Sequence, residues 1–512
     1  MSKSEITSSS PAARYGILIA MCILIAISLI MAFSASSNDA VIRQVQQEQI
    51  VPGASLELTP TAQMPDESGA GAAGLDGSDN GNSIFDFFAG IFNSAYFSGF
   101  RQVIFVLMGA ALAFAISRID YRKFAPYAMP AAMILLIALL ILLLFGTPVL
   151  GSARWFNFGL FAIQPSEFAK PVLLVLLAYY CSTIKDAEDA GTDHAETQAE
   201  LPFWKRDWIK PALLTLGCLA AILFSPDVGT TLIISAGLFT AYVLSGWPWL
   251  RVVIGGAVVA AIYTVRIFAQ GGYASTRLTE FLGKWIDGVT PHQTWQAELA
   301  LGSGGITGLG PGLSRQKFRY LPEAQNDFIV AIVGEELGLI GVSLILIAFT
   351  FILFGGLHIA SRAKDRLGQA IAGGATVLIV FQALLNIFAV VSLGPVTGKP
   401  LPFVTLGGSS MISTFILIGL IFSVARFGGM VPAGVSAAAA ARRSTDVGKK
   451  SSERSAGEEE SEQRNKKTRR KKRTARRRPA ARQTNEEEDA DEDDLEWRWD
   501  SGAHLSSFGA RR

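Results

Sequence analysis

The chain has 512 residues, half of them apolar and 17% charged, with a formal net charge of only +2. That balance excludes an ordinary soluble enzyme and is the profile of a polytopic membrane protein. The near-neutral sum hides a segregation, because charged residues crowd into the tail after Arg442 while the preceding chain is mostly apolar segments joined by short loops.

Apolar runs lie, in chain order, at Tyr15 to Phe33, Val103 to Ile119, Tyr127 to Leu150, Pro171 to Tyr180 with its flanks, Pro211 to Phe224, Val228 to Leu244, Leu250 to Phe268, Phe328 to Phe354, Ala370 to Leu393 and Met411 to Phe427. About 20 residues cross a hydrocarbon core of roughly 30 Å, so the expected fold is an all-α polytopic membrane protein with about ten transmembrane helices. The first run follows Lys3 and Arg14 and ends near the small residues Ala35 and Ser36, which also fits a signal peptide; its length favours a retained helix over 15–34. Residues 35–98, rich in Gly, Ser, Ala and Asp, are expected to form a flexible external loop.

Orientation follows from basic residues in the short loops. Arg118, Arg122 and Lys123 follow the second run, and Lys185, Lys205, Arg206 and Lys210 separate the fourth from the fifth. Arg251 follows the sixth run, and Arg362, Lys364 and Arg366 follow the eighth, so every second loop is cytoplasmic. Residues 1–14 and the tail over 431–512 are then cytoplasmic, flanking a membrane core over 99–430. The loop from Gly151 to Pro165, the Pro226-Asp227 turn, the large segment 270–327 between helices 7 and 8, and the loop from Gly394 to Ser410 share the external side.

The tail carries a basic block, Lys466 to Arg478, and an acidic block, Glu486 to Asp494. Such composition cannot bury a core and reads as disordered. Its basic block suits anionic inner-leaflet lipids, at about 1 kcal/mol per cation, with a plain solubilising tail as the alternative; no fold for nucleic acid is visible. The three cysteines and four histidines have no metal-site spacing, so a protein-ligated zinc site is not expected.

Several residues carry candidate chemistry. Asp327 immediately precedes the eighth run, where a carboxylate serves either as a helix cap or as a partly desolvated base. Glu323 stands four residues earlier, as an acceptor contact, as a second acid sharing a cation, or as a solvated loop residue. Glu335 and Glu336 lie within the apolar run, where an unpaired carboxylate is costly and needs a partner. Glu167 and Lys170, three apart, make either an intramembrane pair or a substrate contact. Arg154 offers a phosphate-binding fork, and Trp155 a sugar-stacking or interfacial ring. Arg277, Arg315, Lys317 and Arg319 break the rule that outer loops avoid cations, which points to an anionic substrate. Ser409 and Ser410 open the last helix, whose N-terminus attracts anions or whose small residues pack closely.

Four stretches together resemble the motif blocks of the SEDS family of FtsW, RodA and SpoVE. They are Gly151-Ser152-Ala153-Arg154-Trp155 with Gln164-Pro165-Ser166-Glu167-Phe168-Ala169-Lys170; Pro226-Asp227-Val228-Gly229-Thr230; Tyr320 to Phe328 running on to Gly334-Glu335-Glu336-Leu337-Gly338; and Leu401-Pro402-Phe403 with Gly407-Gly408-Ser409-Ser410. Pro395-Val396-Thr397-Gly398 is closer to the division branch. Departures are Asn326 where Thr is common, Thr405-Leu406 for Ser-Tyr, and Trp295-Gln296 for Tyr-Gln.

The resemblance implies a peptidoglycan polymerase of the bacterial cytoplasmic membrane, working at the septum with a class B penicillin-binding protein and other division proteins. Its substrates would be lipid II and an undecaprenyl-diphosphate-linked glycan, joined with inversion into a β-1,4 strand. Asp327 matches the catalytic position as general base; Arg154, Trp155, Glu167, Lys170, Arg277, Lys317, Glu323, Ser409 and Ser410 are the expected substrate contacts. Mg²⁺ or Mn²⁺ is a candidate cofactor bridging diphosphate and carboxylate. The rival functions are a lipid II flippase and a noncatalytic scaffold for the transpeptidase.

Overall fold

The computed structural model describes residues 11–48, 97–146, 154–157, 162–191, 207–225, 227–251, 253–257, 273–288, 290–318, 320–321 and 324–429. Most of the external loop over 35–98, most of the seventh apolar run, Glu323, Arg319 and the charged tail lie outside these residues.

The described chain is almost wholly helical. Its helices are α1 (Pro11–Glu48), α2 (Phe97–Arg118), α3 (Ala125–Phe145), α4 (Pro165–Asp189), α5 (Ile209–Phe224), α6 (Val228–Leu244), α7 (Tyr273–Ile286), α8 (His292–Gly304), α9 (Ile329–Arg362), α10 (Arg366–Val390) and α11 (Gly408–Phe427). Phe156–Asn157 (β1) and Ala162–Ile163 (β2) form a small antiparallel hairpin, with Phe156 opposite Ile163. Nine helices follow nine of the ten predicted runs among the described residues, and seven are long and apolar enough to span a membrane. The segment 270–327 is no plain loop, since it holds α7 and α8. Helix α1 continues past the expected boundary at 34 to Glu48.

Helices α10 and α11 form the centre of the bundle, with 72% and 78% of their most apolar windows buried, against 28% for α2 and α3 at the rim. Helix α10 packs on α4, α6, α9 and α11, and α11 also lies along α2. Exposed Leu107, Phe114, Ile134, Leu144 and Phe354 leave the rim apolar, as a lipid-facing surface requires. Helices α5 and α6 have only 16 and 17 residues. At 1.5 Å per residue they reach about 25 Å, short of the roughly 30 Å core. On the opposite side of the bundle, Arg122 pairs with Asp120 and Asp365, and Arg366 with Asp186 and Asp189.

Candidate active site

The motif stretches meet around the irregular segment 396–407 between α10 and α11. Helix α4 begins with Pro165 at its first position, where a missing N–H costs nothing. A second proline, Pro171, removes the donor that would bind the Glu167 carbonyl, and the Ser413 hydroxyl of α11 takes its place at 2.7 Å. The Glu167 carboxylate then lies 2.6 Å from the Lys170 ammonium, with side chains 0% and 1% exposed. Lys170 also donates to Gln382 Oε1 at 2.6 Å, and the Gln382 amide donates to the Pro400 carbonyl at 2.8 Å. Glu167 and Lys170 therefore form an intramembrane pair that props the loop.

Asp227 caps α6, accepting from the Thr230 N–H, and is buried. Lys399 Nζ lies 2.6 Å from its Oδ1 and 2.6 Å from Thr230 Oγ1, while Gln164 Nε2 approaches Oδ2 at 3.4 Å. Burial alone would raise the Asp227 pKa, but Lys399 and Arg154 hold it below the usual carboxylate range.

Asp327 stands one residue before Phe328, the N-cap of α9, and is half-buried. Asn386 Nδ2 donates at 2.8 Å to both the Asp327 and the Lys399 carbonyls, tying the acid's backbone to the loop. The Asp327 carboxylate lies against Gly398, whose φ of 64° favours glycine and whose absent Cβ would meet Oδ2 at 3.3 Å. Thr405 Oγ1 donates to the neighbouring Asn326 carbonyl at 3.3 Å, and Ser28 of α1 donates to the Val404 carbonyl at 3.2 Å.

The other expected contacts are distributed around this hub. Arg154 donates to the Ser225 carbonyl at the end of α5 at 3.2 Å, and Trp155 beside it is exposed. Ser409 and Ser410 are buried in the first turn of α11, and Ser409 Oγ has no hydrogen-bond partner among the described residues. Arg277 of α7 reaches the Val396 carbonyl at 2.9 Å.

Lys317 is instead taken up elsewhere. Helix α9 breaks at Gly338, where φ is 65° and ψ is −161°. Segment 305–310 runs along the break: Leu309 and Gly310 N–H donate to the Glu335 and Glu336 carbonyls, and Leu339 and Ile340 N–H to the Gly305 and Ile306 carbonyls. A Cβ on Gly338 would overlap the backbone of Ile306 and Gly308. The Glu335 carboxylate accepts from the Ser314 hydroxyl and the Arg315 N–H. Glu336 accepts from Ser34 Oγ at 2.6 Å and the Gly312 N–H at 3.0 Å, and it lies 3.2 Å from Lys317 Nζ. Two carboxylates buried at a helix break need these partners, and Lys317 is the cation that answers them.

Asp227, Lys399, Gln382 and Asn386 were not singled out by sequence as site residues. Gln382 and Asn386, four apart within an apolar run, form a polar stripe that holds the Pro400, Lys399 and Asp327 carbonyls. Among the described residues no three His, Cys, Asp or Glu side chains gather as a metal site.

Residues 83–428 match the FtsW, RodA and SpoVE model of cell cycle proteins. The chain belongs to this family. It is 32% identical over 339 residues to stage V sporulation protein E of Bacillus subtilis, covering 66% of this chain and 89% of that relative. It is 34% identical over 340 residues to the probable peptidoglycan glycosyltransferase FtsW of Geobacter metallireducens, covering 65% and 86%. A solved chain from a study of structural coordination of polymerization and crosslinking by a peptidoglycan synthase complex shares the fold, with a TM-score of 0.50 at 24% identity over 67% of this chain and 94% of that one. The match to the SEDS family thus joins all four motif blocks to one multi-pass membrane fold.

Proposed function

We propose that this protein is a peptidoglycan glycosyltransferase that polymerises lipid II at the outer face of the cytoplasmic membrane, in septal wall synthesis, with Asp327 as general base. Peptidoglycan synthesis is the activity that family membership carries. In the step itself, the acceptor 4-hydroxyl attacks the anomeric carbon of the lipid-linked glycan. A new C–O bond forms as the bond to diphosphate breaks, the configuration inverts, and the hydroxyl proton passes to the Asp327 carboxylate. Such a base contributes about 10²- to 10⁴-fold. Diphosphate departs without needing a proton.

The observation that carries this reading is the setting of Asp327. It is a half-buried carboxylate ahead of the helix cap, against a glycine, with its backbone tied through Asn386 to the residue that pairs with Asp227. The other described acids of the motif stretches, Glu167, Asp227, Glu335 and Glu336, are buried, at 0%, 3%, 1% and 0% exposure, whereas Asp327 is partly exposed. We assign Arg154 and the first turn of α11, with Ser409 and Ser410, to the diphosphate, and Trp155 to a sugar face. The implied partner is a class B penicillin-binding protein, in keeping with a related fold whose description couples polymerization to crosslinking.

Purified wild type and Asp327→Asn, each with the transpeptidase supplied and its crosslinking blocked, should differ by at least about 10²-fold in glycan formed from lipid II. Equal yields would sink the base assignment. One feature favours a second reading as a flippase: a helix interrupted at buried acids is a transporter device. Movement of labelled lipid II across vesicles without polymer would establish that alternative.

A further inference from the structure

Asn386 sits on α10 one turn after Gln382 and is only 2% exposed. A carboxamide offers two N–H donors and one acceptor oxygen, and here the donors are spent as a fork, Nδ2 reaching the Asp327 and Lys399 carbonyls at 2.8 Å each. The Oδ1 of the same amide is buried and has no hydrogen-bond partner among the described residues. Turning the amide over would set Oδ1 against two carbonyl oxygens, so the fork fixes its orientation even though the acceptor is stranded. Stability alone does not favour such a group, because an unpaired buried acceptor offsets part of what the donors contribute. Gln382 is the contrast: its Oε1 accepts from Lys170 and its Nε2 donates to the Pro400 carbonyl, so both ends are used.

The fork closes a short ring around the proposed base. One prong holds the Asp327 carbonyl and the other the Lys399 carbonyl, and the residue before Lys399 is Gly398, against which the Asp327 carboxylate lies. Adjacent Cα atoms are only about 3.8 Å apart, so fixing Lys399 also fixes the glycine that meets the acid. Asp327 is thus set at both ends, its backbone by Asn386 directly and its carboxylate by a loop that Asn386 places. The Lys399 side chain is meanwhile anchored to Asp227 and Thr230 at the start of α6, so the loop is not free to follow the acid if the fork is cut. The fork itself stands on α10, a helix packed on α4, α6, α9 and α11, which is the kind of rigid support a catalytic group needs.

We propose that Asn386 is a positioning residue for the polymerisation step. It acts through Asp327, by setting where that carboxylate stands relative to residues 398 and 399 and so how well the base meets the acceptor hydroxyl. This rests on the reading of Asp327 as the base, and its test tells the two apart.

Full-length protein in lipid nanodiscs, with the transpeptidase supplied and its crosslinking blocked, is assayed for polymerisation of lipid II as wild type, Asn386→Leu, Asp327→Asn and the double variant. Leucine keeps roughly the volume of the amide and removes both donors. Asn386→Leu should lower kcat at least about tenfold and leave KM within about twofold of wild type, since the base is misplaced while substrate binding is kept. In the Asp327→Asn background the same substitution should cost less than about twofold more, because a base already removed cannot be misplaced. A residue that only supported the fold would lower the rate by the same factor in both backgrounds. Should Asn386→Leu fail to fold, Asn386→Ser, which is too short to span the fork, is read in the same cycle. A wild-type kcat in a folded Asn386 variant, or equal factors with and without Asp327, would overturn the proposal and leave the base assignment standing. Normal polymerisation by Asp327→Asn alone would overturn both.

Discussion

Two acidic regions on the motif side are built in opposite ways. At the break in α9, Glu335 and Glu336 are sealed at 1% and 0% exposure, and both carboxylates accept hydrogen bonds from the 312–317 segment. Around segment 396–407, by contrast, the backbone of Asp327 is pinned while its carboxylate sits half-buried against a glycine. The first arrangement spends its acids on holding the 305–317 segment to a membrane helix. The second holds a partly exposed acid beside the loop, the setting in which the proposed base would meet a substrate hydroxyl, and burial is what divides the two.

The sharpest way to break that comparison is at Glu336. Glu336→Gln leaves Lys317 buried without its counter-charge, and the expected cost is about 3–5 kcal/mol in the unfolding free energy of the purified protein. Adding Lys317→Met should recover much of that loss, because removing both partners leaves no buried charge behind. Denaturation of both variants in detergent gives the measurement. If Glu336→Gln melts like wild type but polymerises no glycan, Glu336 belongs with the chemistry and the division drawn here collapses.

A smaller effect on stability, with a larger one on rate, is expected at Gly398. Alanine there must hold a φ of 64° and puts a Cβ 3.3 Å from Asp327 Oδ2. The backbone term costs about 1–2 kcal/mol. The carboxylate must shift to make room, and misplacing a base by a fraction of an ångström lowers kcat by about tenfold or more. Polymerisation assayed at saturating lipid II checks this, and a variant with normal kcat would mean that the carboxylate works from the side away from Gly398.

Much of this was legible in the sequence, for a physical reason. Apolar length is a strong signal, so nine runs became helices, and Asp327 before Phe328 landed at a helix mouth as expected. Loop cations were less readable. Lys317 and Arg277 carry the same charge in the same segment, yet one is buried against Glu336 and the other edges a cavity, because pairing depends on what the chain folds back upon. The break at Gly338 was hidden for a similar cause. Its apolar flanks read as one continuous span, and only the return of segment 305–310 supplies the hydrogen bonds that let the helix open. Lys399 was passed over because its partner, Asp227, lies 172 residues away in sequence.

That Asp227–Lys399 pair yields the smallest expected effect, and it tests whether the hub is rigid over the working pH range. The folded-state pKa of Asp227 is depressed, so its contribution to stability is complete above the unfolded value and is lost as pH falls through the folded one. Melting temperature should therefore be insensitive to this pair from about pH 5 to 8, with its loss confined below about pH 4. Any pH dependence of kcat within that window then belongs to another group. Lys399→Met sharpens the point: without its cation, burial dominates and pushes the Asp227 pKa upward, so the acid loss must move to higher pH. A wild-type melting temperature that falls between about pH 7 and 5, traced to Asp227 by its absence in Asp227→Asn, would mean the pair titrates in the working range and the loop that holds Asp327 is not fixed.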